Sequence, residues 1–264
     1  MAPTRREFLK IAGISAAGLV LPPLAAVLNG AQAGTPAAGG VSPTVSEPRP
    51  ALKAKRWGMA IDIRKCPPGC TACITACHTT HNVPDFGNLK DEIRWIGEAK
   101  MEKVFPAETH QRFPEALKEL AVPVLCNHCE NPPCVRVCPT QATFKRTDGI
   151  VMMDYHRCIG CRFCMAACPY GSRSMNFRDP RPFIKKINSD FPTRTKGVVE
   201  KCNFCEERLA KGILPACVTA CPQKALTFGD VEDPGSDVRR LLDEKFSLRR
   251  RQELGTGPQI YYIV

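Results

Sequence analysis

Residues 158–171 read CIGCRFCMAACPYG, and the spacing of their four cysteines decides the fold. Cys158, Cys161, Cys164 and Cys168 follow C-x2-C-x2-C-x3-C, and Pro169 comes directly after the last. Three thiols on one tight loop can converge on a common centre, whereas thiols two residues apart on a helical turn are poorly placed to bridge one another. The fourth is carried away on a short helix, and the proline sets the direction taken after it.

The same punctuation recurs. The chain has 16 cysteines in 264 residues, and all fall into four groups of four. Cys66, Cys70, Cys73 and Cys77 form the first; Cys126, Cys129, Cys134 and Cys138 the second; Cys158, Cys161, Cys164 and Cys168 the third; Cys202, Cys205, Cys217 and Cys221 the fourth. The third group has the spacing of bacterial ferredoxins, in which three thiolates reach irons of one cubane cluster and the fourth binds its neighbour. The second and fourth widen the gap between their middle cysteines to four and eleven residues and keep the final proline. The first departs twice: Pro67 and Pro68 lengthen its opening interval, setting Cys66 apart from the pattern, and His78 stands where proline is expected.

Other uses of the thiols fit less well. Structural zinc takes two C-x2-C pairs, which only the fourth group resembles. Covalent haem needs C-x2-C-H, and the nearest text, Cys73-x3-Cys77-His78, would strip the first group of its ligands. His78, His81, His110, His128 and His156 are expected at the surface or in hydrogen bonds around the thiolates. Arg136, Arg162 and Lys201, beside the groups, either offset buried charge or are solvated. There is no Gly-rich phosphate loop, nucleophile elbow or acid/base carboxylate pair, so no catalytic residue is expected.

The formal charge of +11 invites a nucleic-acid reading, but the thiolates alter it. Residues 1–33 carry Arg5, Arg6, Lys10 and Glu7, a net +2, and without them the total is +9. A cubane with four thiolates adds roughly −2, so four of them bring the total to about +1. The basic excess compensates buried anions, and no nucleic-acid partner is expected.

The N-terminus carries an export signal. Arg5 and Arg6 form a twin arginine, residues 11–28 are moderately apolar, and Ala31-Gln32-Ala33 suits a signal peptidase. The pair of arginines points to the Tat route, and Pro22 and Pro23 make the apolar run a poor membrane span. A thiol-rich protein sent to an oxidising compartment is then one exported already folded around its cofactors. Residues 34–55 are rich in Gly, Pro, Ala and Ser and are expected to be a flexible linker.

From Trp57 the expected class is α+β, with short strands, short helices and many turns. Strands are predicted at 57–63, 225–231 and, as a possible edge, 260–264. A hairpin is predicted over 142–154 with Asp148-Gly149 at its turn. A helix is predicted over 236–246 with Ser236 as N-cap. Residues 78–125 and 169–201 interrupt the rhythm as insertions suited to contact surfaces.

The order of the groups, the prolines after three of them, and CNHCENPPCVRVCP (126–139) with CIGCRFCMAACPYG together resemble the four-cluster iron–sulfur subunits of the dimethyl-sulfoxide-reductase family, over about residues 56–264. Within it, the twin-arginine signal, HNVPDF (81–86), DEIRWI (91–96) and ELGTGPQIYYIV (253–264) are most similar to DsrO-type subunits of DsrMKJOP complexes, associated with dissimilatory sulfur metabolism. The resemblance implies tandem ferredoxin-like halves, two 2x[4Fe–4S] modules with inserted loops, over 56–232, and a C-terminal helix and tail, 233–264, packed on them. It implies four [4Fe–4S] clusters: one on Cys66, Cys70, Cys73 and Cys221; one on Cys202, Cys205, Cys217 and Cys77; one on Cys126, Cys129, Cys134 and Cys168; one on Cys158, Cys161, Cys164 and Cys138. It further implies an electron-transfer subunit, not an enzyme on its own, on the periplasmic or extracytoplasmic face. There it would be held to the membrane by an integral quinone-interacting subunit, with a multihaem cytochrome c as candidate second partner. The alternative is the electron-transfer subunit of a molybdopterin reductase for tetrathionate or polysulfide, or of a nitrite-reductase system.

Overall fold

Every residue of β1 (Trp57–Asp62) is buried, which the run Trp-Gly-Met-Ala-Ile-Asp permits only for a central strand. The computed structural model describes residues 49–106 and 114–264, and there β1 lies inside a four-stranded sheet of order β8-β1-β10-β9. The predicted export signal, most of the predicted linker and His110 lie outside the described residues. All the described residues belong to one compact unit, Glu47–Val264. None of its helices is long and apolar enough to cross a membrane.

In chain order, β1 leads through the first cysteine group into α1 (Ala72–Thr80). Then come β2 (Ile96–Lys100), α2 (Met101–Val104), α3 (Glu115–Lys118), β3 (Ala121–Leu125) and α4 (Pro133–Arg136) in the second group. The hairpin β4 (Thr143–Lys145) and β5 (Val151–Met153) runs into the third group and α5 (Phe163–Ala166). β6 (Ser174–Met175), β7 (Val199–Glu200), α6 (Glu206–Leu209), α7 (Ala216–Thr219) and β8 (Leu226–Asp230) follow. The chain closes with α8 (Asp237–Glu244), β9 (Ser247–Leu248) and β10 (Ile260–Ile263).

Helix length follows from the residue after each group. α4, α5 and α7 each stop two residues short of a Cys-Pro step, because the residue before proline is pushed out of the helical region. The first group has His78 instead, and α1 continues through Cys77 to Thr80. The 142–154 hairpin forms as predicted: β4 and β5 pair from Thr143–Met153 to Lys145–Val151, and Gly149 takes φ +87° in the turn. α8 is capped as expected, the Ser236 hydroxyl accepting the Arg239 N–H at 3.1 Å. Its Val238, Leu241 and Leu242 pack on Ala60 and Ile263 of the sheet.

Two expectations are corrected. The C-terminal strand is not an edge: β10 pairs in parallel with β1 and antiparallel with β9, and Ile260, Tyr262 and Ile263 are fully buried. Ile-Tyr-Tyr-Ile offers no polar side to water, so it is covered on both flanks; the two-residue β9 that covers it has too short a text to announce itself. The two insertions are not simply outward surfaces, since each buries residues against the other. His81 and Trp95 of the first stack at 4.4 Å, Phe191 of the second packs edge-on to both rings, and the Trp95 Nε1–H donates to Glu200 Oε2 at 2.8 Å. Side chains of this size gain too much by leaving water to remain on a surface.

Residues 49–55, the described end of the predicted linker, run along the domain. The Leu52 N–H donates to the Leu209 carbonyl at 2.9 Å, and the Lys55 and Arg56 N–H groups share the Asp230 carboxylate. The tail is laced into the second cysteine group by Glu130 N–H to Gly257 O, Asn131 N–H to Thr256 O and Gln259 N–H to Asn127 O.

Candidate metal centres

The ends of the elements gather the cysteines into four sets, each mixing two groups. Cys66, Cys70, Cys73 and Cys221 line one cavity with residues of α1, β2, β3 and the start of β8. Cys126, Cys129, Cys134 and Cys168 line a second, and Cys138, Cys158, Cys161 and Cys164 a third. The remaining four also group together, since besides burial the strongest charges acting on Cys77 are those of Cys202, Cys205 and Cys217, ahead of Cys73 of the first cavity. We call these sets 1, 2, 3 and 4, set 4 being the one around Cys202. The lengthened opening of the first group is absorbed by a turn: the Cys70 N–H bonds back to the Pro67 carbonyl at 3.2 Å, and Gly69 takes φ +74°. Cys66 thereby reaches the same cavity as Cys70 and Cys73.

Thiolates of successive sets lie near enough to act on one another. Cys73 of set 1 acts electrostatically on Cys77 and Cys217 of set 4. Cys126 of set 2 acts on Cys202 of set 4, and Cys134 of set 2 on Cys164 of set 3. Cysteines are exchanged within two pairs of sets: Cys77 and Cys221 between sets 1 and 4, and Cys138 and Cys168 between sets 2 and 3. Among the described residues no cysteine is exchanged between sets 4 and 2, whose loops pack through the rings of Phe204 and His128.

The donor chemistry fits iron–sulfur clusters. All sixteen thiols are free of disulfides. Burial first, and neighbouring thiolates second, push Cys66 up to about 11, and Cys129 and Cys202 up to about 12. Cys205 and Cys217 rise further for the same reasons. Such thiols shed their protons only to a cation bound among them, and four soft sulfurs per cavity suit iron or zinc. Cys138 runs the other way: burial raises it, but the N–H groups of Thr143, Thr140 and Ala142 and the Thr140 hydroxyl outweigh that.

The basic residues divide. Arg136 and Arg162 are exposed, although Arg162 borders set 3. Lys201 is buried, its ammonium donating to the Val151 and Cys202 carbonyls. The sequence reading missed Arg173. Only 5% exposed, it lines set 2 and bonds Thr143 Oγ1 at 2.7 Å. Burial works against its charge, but the thiolates of Cys134, Cys164 and Cys126 outweigh this and raise its pKa. A cation between sets 2 and 3 favours their reduced, more negative states. A unit charge about 7 Å away at an effective dielectric near 20 is worth ~2 kcal/mol, on the order of 100 mV for one electron. Arg173→Met is expected to lower at least one midpoint potential by that order, read by EPR-monitored titration; unchanged potentials in a fully loaded variant would refute the role.

The described histidines hydrogen-bond the surrounding protein or lie at the surface. The His81 Nδ1–H donates to the Cys77 carbonyl at 2.8 Å, and its Nε2 meets Glu207 Oε1 at 3.0 Å. Its ligand atoms come within 4.8 Å of those of Cys205 and Glu207, yet both ring nitrogens are already engaged. His128 Nδ1 accepts the Val151 N–H, His78 Nε2 bonds the Ile96 carbonyl, and His156 is exposed.

Comparison with known proteins agrees with this chemistry. Residues 117–181 and 184–231 match the model of the 4Fe–4S dicluster domain, a match that leaves out the first cysteine group. The Hdr-like menaquinol oxidoreductase iron–sulfur subunit 1 of Archaeoglobus fulgidus is 39% identical over 98% of this chain and 97% of its own. A tetrathionate reductase subunit of Salmonella typhimurium is 35% identical over 100% of this chain and 89% of its own. The menaquinone reductase iron–sulfur cluster-binding subunit of Nitratidesulfovibrio vulgaris is 37% identical over 79% and 88%. With four clusters' worth of cysteines in four sets, and near full-length likeness to iron–sulfur subunits, this protein belongs to the 4Fe–4S family of electron-transfer subunits of oxidoreductase complexes and carries four [4Fe–4S] clusters.

Proposed function

We propose that this chain is an exported subunit that relays single electrons between a quinone-reactive integral-membrane subunit and a second redox partner, in a DsrMKJOP-type complex of sulfur metabolism. Each of the four cysteine sets holds one cluster within tandem ferredoxin-like halves. The observation that carries this reading is that sixteen thiols gather in fours, with thiolates of successive sets near enough to act on one another in the order 1, 4, 2, 3. When bound, such clusters supply reversible one-electron chemistry at potentials anywhere from roughly −700 to +450 mV. The protein's own residues hold the sulfurs, keep water from the middle sets, and place Arg173 and Lys201 where negative charge gathers. No side chain has to act as acid, base or nucleophile.

The twin arginine at Arg5-Arg6 and the Ala-Gln-Ala site support delivery to the extracytoplasmic face. The menaquinol and menaquinone names of two relatives support a quinone-linked complex, with a multihaem cytochrome c as candidate second partner. A second reading, the electron-transfer subunit of a molybdopterin reductase or of a nitrite-reductase system, is favoured by the likeness to subunits of a tetrathionate reductase and a polysulfide reductase.

Iron and acid-labile sulfide in anaerobically purified protein test the cofactor assignment. About sixteen irons per chain, with spin-coupled EPR signals after reduction, are expected; about twelve would mean that one set is wrongly drawn, and zinc in place of iron would overturn the reading. Isolation of the native complex from membranes separates the two complexes: a membrane subunit with cytochrome c supports the first, and molybdenum supports the second.

A further inference from the structure

The two C-x2-C loops that face one another between the halves share their text: Cys126-Asn127-His128-Cys129 and Cys202-Asn203-Phe204-Cys205. His128 and Phe204 both take the left-handed conformation, with φ +42° and +58°. Their rings stack, with centroids 3.6 Å apart and planes 17° from parallel, and both residues are buried. This stack pins the loops of sets 2 and 4 together, and the asparagine before each ring occupies a matching place.

The two asparagines are not used alike. Asn203 is satisfied by its own loop and helix: Oδ1 accepts the Cys205 N–H at 2.8 Å, and Nδ2 donates to Glu207 Oε2 at 3.0 Å. Asn127 is only 1% exposed and lines the cavity of set 2 beside Cys126, Cys129, Cys134 and Cys168. Among the described residues neither its Nδ2 nor its Oδ1 has a hydrogen-bond partner. A buried amide is seldom left unpaired, and the acceptors that a loaded set 2 adds to this cavity are sulfurs.

We propose that Asn127 is a positioning residue whose side-chain N–H donates to a sulfur of the cluster held by set 2, raising its potential. Asn203 is held differently, its Nδ2 on Glu207 and its Oδ1 on the Cys205 N–H. The two middle sites therefore differ although their loops match in text. Hydrogen bonds to sulfur stabilise the more negative, reduced state and are among the levers that set cluster potentials. The inference rests on the cysteine sets assigned under the proposed function.

The test is EPR-monitored redox titration of the anaerobically purified full chain, comparing wild type with Asn127→Leu and Asn127→Asp. Removing the donor is expected to shift one reduced-to-oxidised ratio about tenfold toward oxidised, a fall of about 59 mV in one midpoint, with the others unmoved. The carboxylate of Asn127→Asp is expected to lower the same midpoint further. Four unmoved midpoints in variants that keep the wild-type iron content overturn the role of Asn127. A wild type that itself lacks four clusters overturns the assignment of the sets instead. Should both variants lose iron, wild-type protein labelled with 15N-asparagine decides: a reduced cluster must show 15N hyperfine coupling in pulsed EPR, and its absence overturns the proposal.

Discussion

Cys126→Ser is expected to remove about four of some sixteen irons and to stop electrons from crossing between the two halves of the molecule. Cys126 lines set 2 and is the thiol of that set that acts most on Cys202 of set 4. It stands on the one junction that no exchanged cysteine spans. Serine offers a hard hydroxyl in place of a soft thiolate, which is a poor exchange for an iron–sulfur cluster. With set 2 empty, sets 1 and 4 remain adjacent on one side, and set 3 is isolated on the other. Rapid-freeze EPR of the native complex, reduced through one partner, should show the cluster signals beyond the break remaining oxidised. Cys66→Ser, at one end of the line, should remove a comparable amount of iron and leave the other three sets in contact. Undiminished transfer across set 2 in an iron-depleted Cys126→Ser protein would mean that the line of sets is not the path.

The largest effect on stability is expected at Glu200. Its carboxylate is fully buried, accepts from Trp95 Nε1 at 2.8 Å and from the Asn176 amide, and pairs with Arg194 at 2.7 Å. Arg194 is itself 2% exposed and also holds the Asn82 carbonyl at 2.8 Å. Glu200→Leu would leave that guanidinium buried without its countercharge. Removing one member of a buried pair costs about 3–5 kcal/mol, and in a domain of this size each kcal/mol moves Tm by about 2–4 °C. A drop of about 6–20 °C is expected in thermal melts of the holoprotein, compared at one scan rate because cluster loss is irreversible. The double variant Arg194→Leu, Glu200→Leu should recover part of the loss, since no lone charge is then buried. A change in Tm within about 2 °C for Glu200→Leu would refute the network's role in joining the two insertions.

Much of the site was legible because cysteine spacing is a local property. Cys-x2-Cys turns and Cys-Pro steps act within a few residues, so the four groups, the short helices and the hairpin around Gly149 followed from the text. The insertions were visible as interruptions but not as partners, because Trp95 and Glu200 lie 105 residues apart and no local pattern pairs them. Arg173 and Asn127 were missed for a related reason. Each is an ordinary polar residue in the text, and its meaning comes from being buried beside thiols from more than one group.

By itself, the sequence determined that sixteen thiols act in fours, that disulfides are not their use, and that the class is α+β. The resemblance it carries implied which fourth cysteine is exchanged. Only the tertiary structure decided the order in which the sets touch, and that β10 lies inside the sheet. It alone also decided that Asn203 has partners for both ends of its amide while Asn127, lining the cavity of set 2, has none among the described residues. These depend on contacts between segments tens to hundreds of residues apart, whose geometry is fixed by burying Trp95, Phe204 and Tyr262 together with their neighbours, not by any residue's local preference.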